Sequence, residues 1–594
     1  MSTNGAASRD AATAASIHAL LNCHAREDER CQFVPVADAR GAAAHVVTPE
    51  ATHVLVVPLP SRQAQVVTAV KYLSPTGRSR FALPVRLSVA GLEPQPLELH
   101  TLAALLADEL GAGDPRGAGE AATLLERILD SRAAIAGDLA ARAGEIETLW
   151  SAGPLSFGAS EQALLLGHQL HPTPKSRGEM SPMQRRAYAP EAGARFPLRW
   201  FAVDPAIVRH ASATGTPAPE LVRGLLGPGA PDVGDRILLP AHPWEAEHLR
   251  SQPELAELFT GGAVEDLGLL GAVVAPTTSV RTVHRADWPW QLKFSLHVRV
   301  TNSMRVTLPK ELDRAVEAAR LQQTILGDRA TEVAPKLTIL HDPAYLTLER
   351  DGEILSGFSV LLRENRWPGG EGEDATALTT LCQDHPYGGR SRLGAIVARL
   401  AVETRRSEAD VAREWFARFL DVATRSLVRL YLDVGLCFEP HQQNTLLELD
   451  GGWPDRCVIR DSQGYFHREL AHADVTAVLP GHGEVTESIF PEALADERLV
   501  YYPFVNLTLG VINALGVARL ADERVLLGDL REMLEAERAA GGLYPHTLLD
   551  RLLDDERWPS KGNLRTRLHD LDELVGDISV QSVYVTIPNP LLVS

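Results

Sequence analysis

Between Leu292 and Val300 the apolar residues Leu292, Phe294, Leu296, Val298 and Val300 alternate with Lys293, Ser295, His297 and Arg299. A period of two over nine residues fits a half-buried strand and no helix. If that register continues without a bulge, Thr301, Ser303 and Arg305 join the polar face, and Lys293, Arg299 and Arg305 stand on one side of a sheet. The chain around them is acidic: 594 residues carry 77 Asp plus Glu against 58 Lys plus Arg, a formal net charge of −19. Either surface carboxylates balance this cationic face, or it meets an anionic ligand. The overall field excludes non-specific attraction to nucleic acid or an anionic membrane, so any anion must be received locally.

A hydrophobic share of 45% and a charged share of 23% are globular proportions. The length suggests several structural units, and no internal repeat points to a solenoid or propeller. Residues 1–145 are Ala- and Leu-rich, with helical periodicity from Leu97 to Trp150 interrupted by the Gly/Pro segment at 111–119; they read as a helical lobe with little chemistry. Residues 146–370 carry strand-like runs and basic residues inside apolar segments, and residues 371–594 return to helical patterns with a short strand in the tail. The class is α+β. The uncharged run Leu499–Ala518 is long enough to span a bilayer, but it contains Pro503, Asn506, Thr508 and Asn513 and lacks basic flanks, so it reads as a buried helix. Five cysteines without a CxxC pair fit a reducing compartment and no structural metal; with no cationic-then-apolar leader at the N-terminus, a cytoplasmic location is expected.

Three polar constellations carry chemistry. Gly167–Pro182, GHQLHPTPKSRGEMSP, sets His168, His171, Lys175 and Arg177 in a proline-stiffened loop, where cations meet carboxylate or phosphate at reduced ordering cost. Ala275–Arg285, APTTSVRTVHR, precedes the cationic strand and pairs with it or turns into it. Its Ser279, Arg281 and Thr282 suit polyphosphate oxygens, and no Walker loop exists to do that work. Phe438–Gly464 places Glu439, His441, Gln443 and Asn444 before a strand, a turn at Asp450–Gly451–Gly452, and a second strand that delivers Asp461. Oxygens of Glu439, Asn444 and Asp461 suit Mg²⁺ and the phosphates of ATP, as in kinase-type sites.

HPTPKSR, KFSLHVRVTNSMR and EPHQQNTLL with the following RD, in this order, resemble the IucA/IucC family of NRPS-independent siderophore synthetases; LPAHPWE and KGNLRTRL are similar to further family segments. The resemblance covers roughly residues 150–594. It implies a cupped hand: a helical thumb (1–145), a mixed fingers lobe with antiparallel strands (146–370) and a kinase-like palm (371–594). It also implies ATP- and Mg²⁺-dependent adenylation of a polycarboxylate, citrate above all, then capture by an amine or alcohol with release of AMP and pyrophosphate. Carried over by residue, Lys293, Arg305, His441 and His171 are catalytic. Ser279, Arg281, Thr282, Lys293, His441, Gln443 and Asn444 hold ATP. His168, His171, Lys175, Arg177, Ser303 and Arg305 hold the acid, and Glu439, Asn444 and Asp461 hold the metal. In the second step a histidine near neutral pKa could take the amine's proton, although an amine already neutral could manage without one. The family also implies a homodimer. Gln442, the TNSMR run and Glu245 depart from its usual residues, which bears on the acid more than on adenylation. Two other readings remain: a small-molecule phosphotransferase, although the loop lacks an Asp at the base position, and a non-catalytic binder of citrate or ferric siderophore.

Overall fold

The computed structural model describes residues 3–112, 117–369, 374–573 and 582–592. Residues 113–116 of the Gly/Pro interruption lie outside them, as do residues 580, 581, 593 and 594 of the tail.

The first lobe is mixed, where the sequence reading expected helices. Helices Thr3–Glu27, Leu99–Gly111 and Gly117–Ala141 are present, but residues 32–96 form a six-stranded antiparallel sheet around His53–Leu59 and Ala64–Tyr72. Those strands are Val-rich with Val54, Val57, Val66, Val67 and Val70 buried, and β-branched side chains favour the pleated surface over the Ala/Leu tendency of their neighbours. The core beneath joins Leu20, Leu55, Val57, Leu102, Leu106 and Leu124 to Leu564 and Leu568, so the helix Asn563–Leu568 packs on the N-terminal lobe.

The middle of the chain builds an eight-stranded antiparallel sheet. Its order is Val208–Ser212, Ala344–Arg350, Glu353–Glu364, Trp290–Phe294, Thr282–His284, Val264–Pro276, Phe196–Val203 and Ile237–Ala241. The pairing expected between the APTTSVRTVHR segment and the cationic strand is present, with Thr282 opposite Lys293 and Val283 opposite Leu292.

The long strand, however, does not run through. It stops at Phe294; wholly buried Ser295 donates its N–H to Ser359 O at 2.9 Å, and its hydroxyl accepts from Thr307 N at 3.0 Å. Leu296–Val300 then leaves the sheet and pairs with Ser303–Arg305 across a turn in which Thr301 has φ +57°. The three cations are therefore not one face. Lys293 and Arg305 line the same cavity, while Arg299 is paired with Asp570 at 3.0 Å and does not line it.

The last region packs helices around a four-stranded sheet of Leu337–Leu340, Trp453–Arg460, Thr445–Asp450 and Ala375–Ala377. The hairpin expected at Asp450 is there, with Asp450 opposite Trp453. The apolar run lies in the continuous helix Glu492–Val517, and 89% of its apolar window is buried inside the protein. Over Val500–Thr508 the helix widens around Pro503, a device that keeps the backbone bonded past a residue with no N–H. Tyr584–Pro588 pairs with Arg557–Lys561, which gives the strand expected in the tail.

Candidate active site

A cavity of about 350 Å³ opens where these regions meet, within the usual range for small-molecule sites. Its wall takes residues from the N-terminal lobe, from all three sequence constellations, from the helix around Tyr501 and Tyr502, and from Lys561–Asn563. Lys and Arg outnumber Asp and Glu several-fold along that described wall, against a chain of net charge −19.

The turn before Thr282–His284 forms one side. Val280 N donates to Thr277 O at 2.8 Å, and Thr282 N donates to the Ser279 hydroxyl at 3.2 Å. Val280 is held at φ +68°, a region hostile to a β-branched side chain. Asp461, at φ +84°, and Thr301 share that sign, so three strained non-glycine residues stand at or beside one cavity. Such strain costs on the order of 1–3 kcal/mol per residue and persists where the surroundings impose it. The Thr282 hydroxyl, Arg305 Nε and Gln463 Nε2 are buried without hydrogen-bond partners, and Thr282, Arg305 and Gln463 all line this wall.

Lys293 is 2% exposed, with Nζ 2.5 Å from Asp461 Oδ1 and 3.4 Å from Asp342 Oδ2. Arg363 forks onto Asp342 at 2.6 and 3.0 Å and lies 3.8 Å from Asp461. Burial would raise the Asp461 carboxyl; Lys293, Arg363 and Arg281 overcome it and hold the group well below the usual carboxylate range. Burial lowers Lys293, opposed by Asp461 and Asp342. Arg281 spans to Gln463 Oε1 at 2.7 Å and to the Arg305 carbonyl at 3.2 Å. Arg305 is bonded to Val300 O and the Thr301 hydroxyl at 2.8 and 3.1 Å; burial and then Arg281 bring it down to about 10. Buried Ser303 completes this part of the wall.

Asn444 joins the third constellation together, with Nδ2 3.1 Å from His441 Nε2 and 3.4 Å from Asp461 Oδ2. The Gln443 carboxamide reaches the Thr278 hydroxyl at 3.3 Å. With Asp461 Oδ1 taken by Lys293, its other oxygen and the Asn444 carboxamide are a hard donor set that fits Mg²⁺. Glu439 lines the same cavity among Arg498, Lys561 and Tyr502, and its carboxyl is raised by burial.

The histidines are hydrogen-bonded and neutral. His171 accepts from Thr173 N at 3.1 Å and lies 2.9 Å from Asn302 Oδ1, which sets its proton on Nε2; Asn302 in turn donates to Asn563 and Glu573 at 3.1 Å. His168 lies 3.1 Å from Asn506 Nδ2. Burial takes His168 down to about 4 and His171 and His441 to about 3. Burial thus works against the expectation of a histidine near neutral pKa at this site.

Lys175 and Arg177 reach the wall, but their heads turn onto buried Glu191, at 3.1 and 2.7 Å, and Lys175 also donates to Leu164 O at 2.6 Å. They are not free cations for a substrate, because a fully buried carboxylate needs them. Residues the sequence reading passed over are Asp342, Arg363, Gln463 and Glu573, and Arg460 entered it only as part of the RD pair, without a role. Arg460 is clamped by Glu161 at 3.0 Å and donates to Gln443 O at 2.8 Å. The one signal for Arg363 is a cation ending the apolar run SVLLR.

Comparison with known proteins identifies the family. Residues 156–383 match the model of the IucA / IucC family, and residues 413–576 match one described as ferric iron reductase FhuF-like transporter. A rhizobactin siderophore biosynthesis protein of Rhizobium meliloti is 38% identical over 97% of each chain. A spermidine-citrate ligase of Bacillus anthracis is 35% identical over 74% of each. The ATP-bound aerobactin synthetase IucA of Klebsiella pneumoniae superposes with a TM-score of 0.87 at 30% identity, covering 98% of this chain and all of that one. Motifs, cavity and full-length likeness agree: the chain belongs to the IucA/IucC family of siderophore synthetases.

Proposed function

We propose that the protein is an ATP-dependent ligase of siderophore assembly that adenylates a carboxylate of citrate and transfers the acyl group to an amine. One observation carries the reading: Lys293, Arg281, Arg305 and the Asp461–Asn444 pair, drawn from separate segments, converge on one basic cavity. Two relatives support it, since the full-length structural relative is an ATP-bound synthetase and the Bacillus anthracis relative is named as a ligase of citrate.

Citrate and a triphosphate repel each other, and unit charges about 4 Å apart at a partly screened site cost roughly 4 kcal/mol per pair. Arg281 and Arg305, without carboxylate partners among the described residues, offset that repulsion. The carboxylate oxygen attacks the α-phosphorus and pyrophosphate leaves. The amine then attacks the acyl carbon, AMP leaves with the bonding pair, and the proton the nitrogen loses passes to the departing phosphate or to solvent. Neither step needs a protein nucleophile, only alignment and stabilisation of developing charge. Lys293, fixed between Asp342 and Asp461, holds its ammonium at the phosphate wall. His441, neutral and with Nε2 beside the Asn444 amide, keeps its other ring nitrogen for an oxygen, His171, bonded at both ring nitrogens, orients Asn302, and the amine enters as free base. Asp461 and Asn444 would hold Mg²⁺, which supplies charge neutralisation at the phosphates.

Citrate-dependent exchange of labelled pyrophosphate into ATP tests the reading, and amide formation with AMP release completes it. ADP and phosphate as products would replace it with a phosphotransferase, and citrate binding without nucleotide binding would replace it with a binding protein.

A further inference from the structure

Arg26 is a cation of this cavity that the adenylation chemistry leaves unused. It comes from the last turn of the helix Thr3–Glu27, in the lobe that the sequence reading credits with little chemistry. Its neighbour fixes it: Glu27 is buried and accepts from Leu564 N and Arg565 N, both at 2.8 Å, at the start of the helix Asn563–Leu568. That contact pins the end of the N-terminal helix against the segment carrying Lys561 and Asn563. Arg26 thereby reaches the cavity wall with His168 and Tyr501, both of which feel its charge.

The other cations at this end are occupied. Arg78 is paired with Asp384 and donates to Asn513 Oδ1 at 2.8 Å, and Lys561 lies 3.2 Å from Glu573. Arg26 donates to the Thr76 carbonyl at 3.2 Å, its Nε is buried without a partner, and no ion pair holds it among the described residues. The rest of this end is amide and hydroxyl: Gln169, Thr76, Asn506 and Asn513. From Asn506, contacts run in turn through His168, His171 and Asn302 towards the strand Ser303–Arg305.

We infer that this end receives the nucleophile, and that Arg26 selects an amine that also bears a carboxylate, an amino-acid-type substrate, over a polyamine. The inference rests on the ligase reading above. An anionic tail completes the guanidinium's bonding, whereas a polyamine brings further positive charge into a wall that is already basic.

L-Lysine and cadaverine differ by that carboxylate alone, and spermidine supplies the polyamine. Citrate-dependent AMP release should show kcat/KM for lysine at least tenfold above cadaverine, with spermidine lower still. In Arg26→Gln the lysine advantage should collapse to within about threefold through a raised KM, while Arg26→Lys keeps part of it. Pyrophosphate exchange on citrate alone, run on the same preparations, reports an assembled adenylation site. Cadaverine or spermidine matching lysine in the unaltered protein, or a lysine-to-cadaverine ratio unmoved in Arg26→Gln, overturns the inference. Absence of citrate-dependent exchange in the unaltered protein overturns the ligase reading instead.

Discussion

Replacing Lys293 by Met separates the electrostatic role of this residue from its packing, because the unbranched thioether fills much of the same space. Nζ stands 2.5 Å from Asp461 and 3.4 Å from Asp342. At an effective dielectric of about 20, unit charges at those separations attract by roughly 5–7 kcal/mol each before desolvation is subtracted. Asp342 keeps Arg363 at 2.6 Å, but Asp461 is left with Arg363 at 3.8 Å. A carboxylate whose side chain is 25% exposed thus loses its main partner, a change that costs about 1–3 kcal/mol of stability. Turnover should fall further than stability explains: loss of a fixed donor to developing charge is worth about 10²–10³ in rate. Melting temperature and citrate-dependent pyrophosphate exchange are measured on Lys293→Met and on Lys293→Met with Asp461→Asn. The double variant should recover part of the stability, since the orphaned charge is gone, and none of the turnover. Exchange in Lys293→Met within about threefold of the unaltered protein would refute the assignment, as would a double variant that regains activity.

Other changes have equally definite signs. Val280→Gly relieves the strain of φ +68° but empties a fully buried site packed against Met180, Trp244 and Leu296; the lost burial outweighs the strain, so stability should fall by about 1–2 kcal/mol and kcat should fall with it, and an unchanged kcat would show the turn's shape to be incidental. Glu191→Gln releases Lys175 and Arg177 inside the protein, so it should destabilise by about 3–5 kcal/mol by chemical denaturation, and a loss under about 1 kcal/mol would return those two cations to the substrate. Acidification should destabilise: burial depresses the His171 pKa from 6.5 to about 3, so between those values the unfolded chain binds a proton that the folded chain does not. Stability from this group is complete above about pH 6.5 and is lost at about 1.4 kcal/mol per pH unit below it. His242, at about 3, and His341, at about 4, act in the same direction, whereas Glu27, raised to about 7 by burial, opposes them. Melting temperatures equal at about pH 7 and about pH 5 would contradict that sum.

What the sequence made legible was local. The strand at Trp290–Phe294, its partner at Thr282–His284 and the hairpin that delivers Asp461 follow from alternation, turn residues and short separations. The break after Ser295 is hidden because the alternation continues straight through it; the strand ends where the Ser295 hydroxyl takes the Thr307 N–H and Leu296–Val300 pairs with Ser303–Arg305 instead. The N-terminal sheet was masked by the strong helical composition on either side of residues 32–96. Asp342 and Arg363 are 21 residues apart and meet only because antiparallel neighbours bring them together, so no spacing rule finds them. Lys175 and Arg177 read as substrate cations because they are basic residues in a stiff loop, but their partner Glu191 sits in a separate turn and its burial could not be read from the sequence.

These pairings divide the cavity's cations into two kinds. Lys175, Arg177, Lys293, Arg363, Arg460 and Lys561 are each held within 4.0 Å by a carboxylate. Such a cation binds an incoming anion weakly, because its field is largely spent on its partner, but its position is fixed before the ligand arrives. Arg281, Arg305 and Arg26 are bonded to carbonyls, hydroxyls or an amide, and a ligand can take the whole of their charge. Affinity for anions should therefore follow the second set and the geometry of reaction the first. An acidic protein suits that division, since every clamp is a carboxylate the chain must supply. Substitution of a clamped cation should act on kcat, and substitution of Arg281 or Arg305 on the KM for ATP or citrate.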